Sequence, residues 1–349
     1  MFKLRAIVLL VLVCFRGEAF AVQKKAVERP RPMLLHSSYT AWTSDNQLNV
    51  SAVPLLARQA AKMGVNTVFV CGSMAGFDTM SVDERLELAE AWLEIGPAYD
   101  LYIIVNVGTT VVSEAKLLAE HAALHGAAAI ATVPPYYTRT TDLTILVNWL
   151  REVASGAPDL PLFYYHLPGV TGVDIAVADL LQASEDAGFD QLSKNGGVKY
   201  VGSDNQDFLN CANWVAADLG KRGGVSVLYA PEPKLQGFPL QTPYAGAVLA
   251  EDFYAPTLLR MRAAYDAGNA PGMIAEQNWK QGQAEPVFST YGGACAKRKV
   301  YLKFCGADLG PDRSPNPRFD ESKYDDLVAD LDAIGFWDQA PPECAPLPG

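Results

Sequence analysis

Apolar runs and polar, periodic segments alternate along most of this chain. Val65 to Gly72, Leu101 to Gly108, Ala127 to Pro134, Pro161 to His166, Val198 to Val201, Gly224 to Tyr229 and Ala245 to Ala250 are short and almost wholly apolar. Such runs predict strands buried on both faces. An early run at Met33 to His36 brings the number to eight. Between them lie segments with helical periodicity: Val82 to Ile95, opened by Ser81 with acids at Asp83 and Glu84; Ser113 to Gly126, capped and ending in glycine; Asp142 to Val153; Val177 to Ala187; and Asn205 to about Leu219.

Strand–helix alternation implies a parallel sheet with right-handed crossovers, and eight units favour a closed (β/α)8 TIM barrel. An open doubly wound sheet would want a glycine-rich phosphate fingerprint, and neither GxGxxG nor a P-loop is present. The barrel is expected over 33–255. Helical segments at Pro256 to Ala267, Gly272 to Ala284, Ala294 to Phe304 and Glu321 to Ile334 predict a C-terminal helical extension over 256–337. The proline-rich end, 338–349, reads as a disordered tail.

The first residues read as a targeting segment. Lys3 and Arg5 precede the apolar run Ala6 to Phe15, and Ala19-Phe20-Ala21 is a small-x-small cleavage site. We expect a signal peptide over 1–21 and a polar linker over 22–32. That places the protein in the secretory pathway, or in the cytoplasm if the segment is no signal. The formal net charge of −11 disfavours nucleic acid and anionic membranes as partners, and cleavage would make it more negative. No later run is long enough to cross a membrane. Asn49-Val50-Ser51 is a glycosylation sequon. Cys71 and Cys211 read as core thiols, and one bridge among Cys295, Cys305 and Cys344 is allowed.

Candidate chemistry falls where the strands should end, the functional face of a barrel. Lys199 lies in the apolar run Gly196 to Gly202. A buried ammonium is costly, so such a lysine pairs, reaches out to water, or is used. Desolvation lowers its pKa, and a neutral amine attacks carbonyl carbon to give a Schiff base. Tyr165 ends the preceding strand, Tyr136 and Tyr137 follow strand four, and Ser73 follows strand two. Hydroxyls so grouped can relay a proton, each being donor and acceptor. Taken singly, Ser73 also reads as a turn residue, and the tyrosine pair as loop packing. No CxxC or GxSxG is present, and His36, His121, His125 and His166 have no triad or metal spacing. His121 and His125 share a helix face, where surface packing is the expected role.

Several segments together resemble the N-acetylneuraminate lyase and dihydrodipicolinate synthase superfamily. Phe69 to Phe77 resembles its GTTGE segment, and Pro135 to Arg139 its PYY segment. Tyr164 to Gly172 is similar to YYHIPALTG, Val198 to Tyr200 to GLKF, and Gly306 to Pro311 to a late G-x-x-x-GP turn. The likeness runs in order from about 33 to 337. It implies a class I aldolase with Lys199 forming a Schiff base to a small 2-keto acid. Tyr165, Tyr137 and Ser73 would move protons, and no metal or other cofactor would be needed. Ser73, Met74, Thr171, Tyr229 and Glu232 would surround the substrate, and assembly would be a homotetramer in which Tyr137 reaches a neighbouring site. N-acetylneuraminate, cleaved to pyruvate and N-acetylmannosamine, is the nearest substrate. Another pyruvate aldolase or dehydratase activity, or a non-catalytic barrel, remain alternatives. Val170 stands where dihydrodipicolinate synthases place arginine. Met74, Ala75 and Gly76 depart from GTTGE, and Ala230 to Pro233 and Ala250 depart from the residues that read the sugar.

Overall fold

In a computed structural model, residues 27–230 and 245–339 are described. The expected signal peptide, the first five residues of the linker, residues 340–349 of the tail, Glu232 and Cys344 lie outside them.

Eight short parallel strands close on themselves in sequence order. They are β1 (Leu34–Ser37), β2 (Thr67–Val70), β3 (Tyr102–Asn106), β4 (Ala129–Thr132), β5 (Leu162–His166), β6 (Gly197–Tyr200), β7 (Ser226–Tyr229) and β8 (Ala245–Leu249). β1 pairs with both β2 and β8, so no edge is left unpaired. Each strand is buried throughout, which is why the sequence shows continuous apolar runs there.

Alternate residues face opposite ways. Leu35, Phe69, Ile104, Ala129, Phe163, Tyr165 and Leu228 fill the barrel. Val68, Val70, Ile103, Tyr164, Val198, Tyr200 and Tyr229 pack outward against the helices. Those helices are α1 (Val53–Lys62), α2 (Val82–Ile95), α3 (Val112–Leu124), α4 (Leu143–Ala154), α5 (Val177–Asp186) and α6 (Asn205–Ala216). α1 was not singled out by pattern, but Pro54 suits its first turn, where an N–H has no helical partner.

Two helix ends differ from expectation. α2 begins on Ser81 as anticipated, with a full capping box: Glu84 N–H donates to Ser81 Oγ and Ser81 N–H to Glu84 Oε2. α3, by contrast, starts one residue before Ser113, from Val111 and without a side-chain cap. Its chain exit is a glycine, Gly126 at φ +85°, as the sequence indicated. The segment expected as one helix to Leu219 ends at Ala216 and restarts as a single turn at Leu219–Arg222.

Beyond β8 the chain is helical: α7 (Ala255–Asp266), α8 (Ala270–Trp279), α9 (Glu285–Thr290), α10 (Ala294–Cys305) and α11 (Tyr324–Ala333). A π turn at Lys280–Ala284 interrupts the expected Gly272–Ala284 helix. Phe253, just after β8, stacks on Phe288 and Phe304 and meets Phe336 edge-on, which fastens the extension to the barrel through aromatic contacts. Cys295 and Cys305 are not bridged to each other. Their thiols donate to Gly292 O and Tyr301 O.

The floor of the barrel is stopped by Arg29. Its guanidinium donates to Tyr102 Oη and to the carbonyls of Asn195, Gly196 and Gly224, and it lies over the rings of Tyr102 and Phe163. Among the described residues no helix is long and apolar enough to cross a membrane.

Candidate active site

Parallel register puts Tyr165 beside Lys199, and Ser37 beside Phe69. All four side chains face the barrel interior. The Lys199 ammonium lies over two aromatic rings, 3.8 Å from the centroid of Phe69 and 4.1 Å from that of Tyr165. Its Nζ donates to Ser37 Oγ at 3.0 Å. Ring faces favour the charged amine, but removal from water opposes it more strongly. Burial therefore holds the Lys199 pKa well below that of a free lysine. The side chain is buried, not snorkelling, and a larger share of it is a neutral nucleophile than an exposed lysine would offer.

Tyr165 also touches the second half of the arrangement. Its hydroxyl and that of Ser73 are 3.1 Å apart, with either able to donate. Burial raises the Tyr165 pKa, and the Ser73 hydrogen bond partly offsets that. The phenol is thus protonated at rest, as a proton donor must be.

Ser73 is set by the turn after β2. Cys71 adopts a left-handed conformation at φ +56°, uncommon for a residue with a side chain. Asn106 Nδ2 donates to the Cys71 carbonyl at 2.7 Å. Arg85, buried on α2, donates to Asn106 O and Gly108 O. These contacts join β2, β3 and α2 around the turn. Gly72 follows because a Cβ there would sit 2.8 Å from the Phe69 ring and 3.8 Å from Lys199 Nζ. Ser73–Ala75 is one 3-10 turn, closed by the N–H groups of Ala75 and Gly76. Ser73 and Met74 supply the N–H groups that a first turn leaves over for an anion. A cavity of about 180 Å³ opens beside them, lined also by Tyr39, Trp42, Arg298 and Arg313. Neither Lys199 nor Tyr165 lines it, so it adjoins the lysine pocket rather than forming it.

The other anticipated residues are dispersed. Tyr137 is 88% exposed and projects from the barrel mouth, while Tyr136 packs inward. Thr171 is buried, with its hydroxyl donating to Leu167 O and accepting from Val173 N–H, so it braces the turn Pro168–Thr171. Tyr229 faces the helix layer, not the barrel interior. It packs on Phe208, and its hydroxyl donates to Asn205 Oδ1. The structure does not bring it to Lys199, because alternation along β7 turns Leu228 inward instead. Asn49 caps the turn before α1 through its own Oδ1, which accepts from Ser51.

Ser37, Asn106 and Arg85 were missed from sequence. Ser37 lies 162 positions from Lys199, and no local pattern links them. Only the closure of β1 onto the sheet could have suggested the contact.

Residues 33–189 match the dihydrodipicolinate synthetase family, a span that includes Ser73, Tyr137 and Tyr165 and stops short of Lys199. The chain is 34% identical to the N-acetylneuraminate lyase of Homo sapiens over 304 residues, covering 87% of this chain and 92% of that one. Its fold superposes on the Aliivibrio salmonicida N-acetylneuraminate lyase with a TM-score of 0.77 at 22% identity, over 88% of this chain and 98% of the other. A Ruminococcus gnavus sialic acid aldolase with its catalytic lysine mutated has the same fold, at a TM-score of 0.74 and 18% identity, over 88% of this chain and 97% of the other. The chain belongs to the N-acetylneuraminate lyase and dihydrodipicolinate synthase superfamily and is a carbon–carbon lyase of its class I aldolase type.

Proposed function

We propose that Lys199 forms a Schiff base with the keto carbon of a 2-keto acid, and that the protein breaks or makes the carbon–carbon bond two atoms away. The observation that carries this is the buried Lys199 amine, held between two rings and a hydroxyl, beside the Tyr165–Ser73 pair.

The neutral amine adds to the keto carbon, and loss of water leaves an iminium. Tyr165 gives its proton to the hydroxyl that departs as water, and the phenolate left beside Ser73 then takes the proton of the hydroxyl on the leaving side as the carbon–carbon bond breaks. The bonding electrons move onto the iminium nitrogen, giving an enamine and releasing an aldehyde. Protonation of the enamine and hydrolysis free pyruvate and the amine. In the reverse direction the Tyr165 phenol protonates the aldehyde oxygen. The iminium is the electron sink, so the residues present supply the chemistry without a metal or cofactor. The carboxylate of the keto acid would meet the N–H groups of Ser73 and Met74.

N-acetylneuraminate is the proposed substrate. Identity to N-acetylneuraminate lyases supports it, and the altered segment at Ala230 to Pro233 and Ala250 limits it, since removed hydroxyl contacts cost binding at roughly 0.5–1.5 kcal/mol each. A homotetramer with Tyr137 at a neighbouring site accounts for that residue's exposure. Secretion rests on the N-terminal segment alone.

The test is to incubate the folded protein with pyruvate, trap with borohydride and map the adduct by mass spectrometry. Lys199 should be modified and Lys194, which pairs with Asp190 on the surface, should not. An adduct at Lys194 alone, or none, would sink the proposal. Pyruvate release from N-acetylneuraminate and from shorter 2-keto-3-deoxy acids then ranks the substrates.

A further inference from the structure

A second cluster of chemically competent side chains lies on the outside of the barrel. His121 and His125 are one turn apart on α3, and Glu90 on α2 faces both. His121 Nε2 is 3.9 Å from Glu90 Oε2, and His125 Nδ1 is 3.8 Å from Glu90 Oε1. Both separations exceed an N–H···O hydrogen bond, so polar atoms converge without bonding one another. The imidazoles stack at 4.1 Å, tilted by 23°. His121 Nδ1 is buried without a hydrogen-bond partner among the described residues.

Surface packing accounts for the stacked rings. It does not account for a carboxylate placed symmetrically between them and bonded to neither. One donor atom from each residue can be chosen so that all three lie within 4.8 Å of one another. A point central to atoms so spaced is about 2.3–2.8 Å from each, a few tenths of an ångström beyond zinc–nitrogen and zinc–oxygen bonds of about 2.0–2.2 Å. Glu90 is 56% exposed and His125 34%. Both can close that gap by small torsional shifts, with the stacked rings opening to aim their lone pairs.

We propose that Glu90, His121 and His125 bind a divalent transition-metal ion of the zinc class, with water completing the tetrahedron. Two imidazoles and one carboxylate suit a borderline cation and exclude magnesium and calcium, which demand oxygen ligands. The ion does not serve the lysine. Helices of a (β/α)8 barrel run antiparallel to its strands, and His125 caps the C-terminal end of α3 just before β4 begins. That is the face opposite the strand ends that carry chemistry. The ion would clip α2 to α3 and stabilise the fold by binding the native state only.

The test uses the full chain, freed of metal with a chelator and titrated with zinc sulfate by calorimetry and by thermal unfolding. Expected are one saturable micromolar site, a rise in Tm, and no response to magnesium or calcium. Glu90→Gln and His125→Ala should each weaken binding more than tenfold. The His121→Ala/His125→Ala pair should abolish it, and every variant should keep pyruvate trapping at Lys199. Saturable zinc binding that survives the double substitution, or no saturable binding up to millimolar zinc, overturns the site. Trapping at Lys199 is read separately, so failure of the zinc site and failure of the aldolase reading remain distinct.

Discussion

Ser37 donates no charge and bears no reactive group, yet its Oγ is the polar atom that receives the Lys199 amine. A hydroxyl that accepts from the ammonium favours the charged form, while burial opposes it more strongly. Ser37→Ala should therefore lower the Lys199 pKa further and free the amine to wander between rotamers. In borohydride trapping, the pH limb that reports lysine ionisation should move to lower pH, and the trapping rate above that limb should fall several-fold. An unmoved limb and an unchanged rate would mean that the Phe69 and Tyr165 rings position the amine alone. Tyr165→Phe removes one oxygen and keeps the ring under Lys199. Trapping should persist, whereas turnover should drop by more than tenfold, within the 10²–10⁴ typical of a lost acid–base group. Steady-state rates beside mass-spectrometric trapping separate the two effects.

At the scale of elements, the strands were readable because each is buried on both faces and leaves an unbroken apolar run. The turn after β2 was readable only in part. Gly72 and Ser73 stand out in the sequence, but the left-handed Cys71 and its supports Asn106 and Arg85 depend on contacts across three elements. Lys199, Tyr165 and Ser73 come together in the structure because strand ends are fixed by strand starts. Tyr229 does not join them, because one step along β7 reverses the direction of a side chain. The segment after β8 carries a separate consequence. Asp252 is fully buried there, and Tyr301 Oη donates to its Oδ1 at 2.8 Å. Burial raises its pKa to about 7. Between the unfolded value near 3.9 and about 7 the native state holds a proton that the unfolded state has lost, so this group's contribution to stability declines as pH rises through that window. Asp252→Asn should flatten part of the fall in Tm between about pH 4 and pH 7. A slope identical to that of the parent protein would show that Asp252 ionises normally.

Strand ends ring the mouth of the barrel, with Tyr137 standing out from it at 88% exposure. If four copies assemble and Tyr137 completes a neighbour's site, Tyr137→Phe should leave the sedimentation coefficient of the tetramer unchanged and reduce turnover. A monomer with full activity would remove the assembly from the mechanism, and equal activity in the Phe variant would remove the residue.

Arg29 binds the opposite end of the barrel, across its floor. The chain therefore enters the fold on the side directly away from the mouth. An attachment made directly at residue 27 would leave from the back of the barrel: an affinity tag, a fusion partner, or a linkage to a bead or bilayer. A protein tethered this way stands with its opening turned outward, toward dissolved substrate, rather than pressed against the support.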